Sequence, residues 1–120
     1  MFEVDPTTKK ITMHAGDTGA VIYHITGYDL RGEDARIVWT MKNTKGIVVK
    51  SGVYTPDENE IRVEFANADT DTLDPGTYIY DLRIVIDPEF DTEGNLVDGT
   101  DVNTPISPLY VEILETVGDI

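Results

Sequence analysis

The chain contains no cysteine, which excludes disulfides, thiol nucleophiles and thiolate zinc sites together. A reducing compartment suits such a protein. Serine is nearly as scarce: Ser51 and Ser107 are the only two, and neither stands in Gly-x-Ser-x-Gly. The strained turn that presents a hydrolase serine is therefore missing, and there is no glycine-rich loop to cradle phosphate. Basic residues are thin in the second half. Residues 51–120 hold only Arg62 and Arg83 against seventeen Asp/Glu, residues 1–50 hold seven Lys/Arg against six Asp/Glu, and the whole chain carries −14. A surface of that sign repels phosphate backbones, so no nucleic-acid partner is expected. No apolar run exceeds a few residues, too short to span a bilayer, and no membrane partner is expected either. The N-terminus, MFEVDPTTKK, lacks a basic segment followed by an apolar stretch, so the expectation is no signal peptide and synthesis in the cytoplasm.

What is present is a period-two pattern along almost the whole chain, the mark of β-strands. Residues 10–14 (KITMH) read as a first strand, ended by Gly16-Asp17. Residues 19–26 (GAVIYHIT) follow, with both faces apolar enough that the inward one is left open; residues 28–35 read as loop. Residues 36–42 place Ile37, Trp39 and Met41 on one face, the Asn43–Gly46 stretch NTKG reads as a hairpin turn, and residues 47–50 return. After a turn at residues 56–59, residues 60–65 alternate Ile61, Val63 and Phe65 against Glu60, Arg62 and Glu64. Residues 77–86 present Tyr78, Tyr80, Leu82, Ile84 and Ile86 on one face, and residues 109–114 do so with Leu109, Val111 and Ile113. No ten-residue stretch has helical spacing, and turn signals recur every eight to twelve residues. The expectation is one all-β domain, 1–120: an immunoglobulin-like sandwich of about seven antiparallel strands. The long connection between Asp87 and Pro105 is read as a protruding hairpin with its turn at 91–94 and Phe90 and Leu96 packing across it.

Four groups of side chains invite chemical readings. Asp74-Pro75-Gly76-Thr77-Tyr78 has the Asp-x-Gly-x-Tyr form of a tyrosine corner. Tyr78 would then be the corner residue, Tyr80 would occupy the second cysteine position of antibody domains, and Trp39 their buried tryptophan, all in structural roles. The acids Asp69, Asp71 and Asp74, and those of the long connection (Asp87, Glu89, Asp91, Glu93, Asp98, Asp101), are eligible calcium ligands by chemistry. Position six of a loop begun at Asp91 is Leu96 rather than glycine, so the EF-hand form is absent and a solvated acidic face is the simpler reading. His14 and His24 could face each other across a strand pair, although two histidines without a third ligand are weak grounds for zinc. Tyr23, Tyr54 and Tyr110 would form a carbohydrate-binding surface if exposed on one sheet. No cofactor is expected apart from this calcium option, and no catalytic residue is named.

Three stretches carry a resemblance: His14-Ala15-Gly16-Asp17-Thr18-Gly19, then Asp69-Thr70 with Leu73-Asp74-Pro75-Gly76-Thr77-Tyr78, then Val102-Asn103-Thr104-Pro105. Their order and spacing resemble small immunoglobulin-like structural proteins of tailed phages and prophages. The N-terminal domain of the baseplate upper protein family and fibre-associated proteins are similar. The resemblance implies a non-catalytic virion component of the tail, baseplate or fibre attachment, working as a homo-oligomer among other virion proteins and assembled in the host cytoplasm. A capsid decoration or head-fibre protein is one alternative. A carbohydrate- or cell-surface-binding module, or a calcium-stabilised adhesion module, is another.

Overall fold

The computed structural model describes residues 2–25, 34–103 and 109–114. The alternating segments form β1 (Phe2–Val4), β2 (Ile11–His14), β3 (Gly19–His24), β4 (Ala35–Lys42), β5 (Val48–Tyr54) and β6 (Glu60–Phe65). A single helical turn, α1 (Asn67–Thr70), precedes β7 (Gly76–Phe90), β8 (Leu96–Asn103) and β9 (Leu109–Leu114). The larger sheet runs β1-β2-β9-β7-β4-β5, with β8 also paired to β7, and a second sheet is β3-β6. The fold is all-β and sandwich-like.

The alternation decides which faces meet. Strand β4 buries every second residue, Ala35, Ile37, Trp39 and Met41, and β6 does the same with Ile61, Val63 and Phe65. Ile11, Met13, Leu82, Ile84, Val111 and Ile113, from β2, β7 and β9 of the larger sheet, join them in one cluster. Each fully buried side chain of this size contributes roughly 1.5–3 kcal/mol, and together they offset the chain's conformational entropy without a cross-link. In β3 the open choice of face resolves toward Val21 and Tyr23, leaving Ile22 half exposed. Phe2 packs against the core with its ring 5.5 Å from that of Phe65, tilted at 52°, and lies where a Cβ on Gly19 would stand, 2.4 Å from the nearest ring carbons. Only glycine admits that approach.

Several expectations are corrected. The described strands number nine, and β2 pairs with β9 in parallel, so the sheet is mixed rather than wholly antiparallel. Parallel and antiparallel neighbours share one alternation, and a period cannot tell them apart. Strand β5 extends beyond residue 50 to Tyr54, and β7 beyond residue 86 to Phe90. Ile86 is half-buried while Val85, on the opposite face of the same strand, is buried. The long connection is a hairpin as expected, with Phe90 opposite Leu96, but it does not simply protrude. Register shifts around Asp87, which sits at φ 51°, bend it across the outer face of the larger sheet. The Phe90 ring lies 4.9 Å from the Arg36 guanidinium carbon on β4, and Leu96 and Val97 share a groove with Val38 and Val53. Residues 28–33, Thr26, Thr104, Pro105, Ser107 and the side chain of Asp101 lie outside the described residues.

Candidate functional site

The core is tied across the sandwich by aromatic side chains. Trp39 is fully buried and stacks on Tyr80, with ring centroids 5.2 Å apart and planes at 28°. Tyr23, from the other sheet, lies 6.1 Å from Tyr80 and accepts a hydrogen bond from the Trp39 indole nitrogen at 3.3 Å. Phe65 meets Trp39 edge-on at 5.6 Å. Burial, with Tyr80 beside it, pushes the Tyr23 phenol far above its ordinary range, and burial raises Tyr80 as well. Both therefore stay neutral at any physiological pH. The Tyr80 hydroxyl donates to the Lys9 carbonyl at 2.5 Å, anchoring a residue held at φ 60°.

A second unit surrounds Tyr78. Its hydroxyl donates to the Asp74 carbonyl at 2.7 Å, four residues back, which is the bond a tyrosine corner requires. Gly76, between them, has φ 145°, a conformation that other residues rarely adopt. Nearby, α1 locks the β2–β3 crossover. Thr70 is completely buried and its hydroxyl accepts from the Gly16 amide at 2.9 Å, while the Asn67 side-chain amide donates to the Gly16 carbonyl at 2.9 Å. The Gly16-Asp17-Thr18-Gly19 and Asp69-Thr70 stretches, 50 or so positions apart in the chain, are thus one hydrogen-bonded assembly. Thr70 stands in a stretch the sequence marks, but its role as a buried acceptor, and the part played by Asn67, come only from the fold. A single helical turn leaves no periodicity to find, and the Gly16 partner lies 54 positions away.

Two of the acidic candidates, Asp69 and Asp91, are engaged by the protein's own donors. Asp69 accepts from the Ala66 amide at 2.7 Å and from Lys50 Nζ at 3.2 Å, which makes it a helix cap and an ion-pair partner. Asp91 accepts from the amides of Glu93 and Asn95, both at 2.9 Å, and so builds the hairpin turn. The Asn95 amide, followed by others in that turn, holds the Asp91 carboxyl below its ordinary range. Asp71, Asp74 and Glu93 are exposed, and among the described residues no three His, Asp or Glu side chains converge on a point that could hold a metal ion. His14 and His24 do not face each other. They lie in different sheets, His14 beside Asp17 at 3.8 Å and His24 beside Glu60 at 3.7 Å.

The tyrosine platform is also overturned. Tyr23 is buried in the core, Tyr54 faces inward opposite Ile37, and Tyr110 alone is well exposed. Surface depressions are open and modest. One of about 350 Å³ lies under the bent hairpin, lined by residues including Val38, Val53, Val85 and Val97. Another of about 300 Å³ adjoins the Tyr78 corner, and a third of about 340 Å³ adjoins Tyr54 and Arg62. Among the described residues no helix is long and apolar enough to cross a membrane. No family model, curated protein or solved structure matches the chain.

Proposed function

We propose that this chain is an immunoglobulin-like structural component of a tailed-phage virion, at the tail, baseplate or fibre attachment, acting through protein–protein assembly with itself and with virion neighbours. One observation carries the reading. Two of the three stretches that resemble such phage proteins meet in space, through the Gly16–Thr70 and Gly16–Asn67 hydrogen bonds, beside the strand turn that leads into the Tyr78 corner. The resemblance therefore follows parts that pack as one unit rather than scattered turns. The buried Trp39, stacked on Tyr80, suits an immunoglobulin-like sandwich without its disulfide. Among the described residues eight large apolar side chains are about half exposed, Ile22, Val53, Ile79 and Tyr110 among them, which suits a protein that buries more surface on assembly.

The test is the mass of the purified protein in solution by light scattering, with calcium and then with chelator. A defined oligomer, stable in both, is the expected result. A monomer at every concentration and in both buffers would overturn self-assembly and leave either a decoration protein that needs its partner or a ligand-binding module.

A further inference from the structure

Free sheet edges invite pairing with other chains, and folded proteins blunt them with short strands, bulges, outward charges or a charge turned inward. Most free edges here carry such a device. Strand β1 has three residues. Strand β5 has a register shift near Lys42 and turns Lys50 inward, where its ammonium lies 5.1 Å from the centre of the Phe65 ring and 3.2 Å from Asp69. Strand β8 pairs with β7 through repeated register shifts and carries Asp98, and β6 presents Glu60, Arg62 and Glu64 outward.

Strand β3 has none of these. It is six residues long, pairs with β6 without a register shift, and contains no Pro, Lys, Arg, Asp or Glu. Among the described residues no strand occupies its other edge. Its outward side chains are Ala20, Ile22 and His24, and Ile22 is 50% exposed.

We propose that β3 pairs antiparallel with β3 of a second copy of this chain, joining the two small sheets as β6-β3-β3-β6. This rests on the assembly reading above and specifies its interface. The occupant follows from charge. Copies carrying −14 each repel, so a contact between them is favoured at an edge without acid. Of the described edge strands only β3 and β5 lack acid, and β5 is blunted by its inward Lys50 and register shift. The strand is also complementary to itself. With the two-fold axis at Ile22, Ile22 meets Ile22 of the partner copy on the outer face, and Val21 meets Tyr23 of the partner copy on the core face. Every side chain keeps its face, because residues directly opposite in an antiparallel pair point the same way.

The absence of cysteine makes the test clean. Light scattering should give twice the 13.3 kDa chain mass for the native sequence, or an even multiple of it. Ile22→Lys, an outward change, should halve the mass while the circular dichroism melting curve keeps its shape. Ile22→Cys, which keeps the fold, should oxidise to a covalent dimer at least tenfold faster than Val53→Cys on the outer face of the other sheet. An oligomer whose mass ignores Ile22→Lys, with both cysteine variants cross-linking at equal rates, would overturn the β3 edge and leave self-assembly standing through another surface. A native chain of 13.3 kDa at all concentrations would overturn both.

Discussion

Trp39 and Tyr80 stack 5.2 Å apart between β4 and β7, and the Tyr80 hydroxyl reaches past the stack to the Lys9 carbonyl. One side chain therefore joins the aromatic centre to the turn that precedes β2. Tyr80→Phe keeps the ring and removes the hydroxyl, leaving the Lys9 carbonyl without that bond. The expected cost is about 1–2 kcal/mol in urea unfolding, with the circular dichroism of the folded state unchanged. Trp39→Ala opens a cavity at the same centre and should cost about 3–5 kcal/mol. Equal losses for the two variants would show that the stack is not the principal contribution.

Tyr78→Phe removes the hydroxyl that donates to the Asp74 carbonyl. A loss of about 1 kcal/mol is expected in the same measurement. Unchanged stability would remove the corner from the account of this fold.

Gly19→Ala places a methyl group against the Phe2 ring, which would have to leave Phe65. A loss of about 1–2 kcal/mol is expected, and Phe2→Ala should largely absorb it, so that the double variant is scarcely worse than Phe2→Ala alone. Full additivity would place the strain elsewhere.

The hairpin turn should loosen in acid. The folded Asp91 carboxyl titrates below its ordinary 3.8, so its contribution is complete above that value and declines as the pH falls through the folded pKa. The amide signals of Glu93 and Asn95 should move with that titration in NMR spectra, and Asp91→Asn should remove the movement. Signals that shift identically in the variant would assign the change to another acid.

Replacing residues 91–95 by Asn-Gly shortens the turn while Phe90 and Leu96 keep a connection that hairpins favour. All five removed residues are exposed, so the midpoint of thermal unfolding should move by only a few degrees. Loss of cooperative unfolding would make the hairpin part of the core.

Much of the architecture is legible in the chain itself. Alternation alone identifies the inward faces of β4, β6 and β9, because a strand with one buried face must repeat every two residues. The Asp-x-Gly-x-Tyr spacing places the Tyr78 hydroxyl near the Asp74 carbonyl because both lie within one turn. The missing cysteine dictates that no disulfide ties the sheets together.

Other features depend on partners distant in sequence, which only the tertiary structure supplies. Strand β3 is apolar on both faces, and contact with Trp39 and Tyr80 selected Tyr23 as inward, removing it from any binding surface. The parallel β2–β9 pairing joins residues about 100 positions apart, and Gly16 finds Thr70 54 positions away. The calcium candidates illustrate the same point, since acid-rich loops look alike in sequence whether their carboxylates converge or turn separately to local amides. Here Asp69 and Asp91 turned to amides and to Lys50. Period and spacing carry what neighbours along the chain decide; register, sheet order and the pairing of distant polar groups arise only when the sheets close on each other.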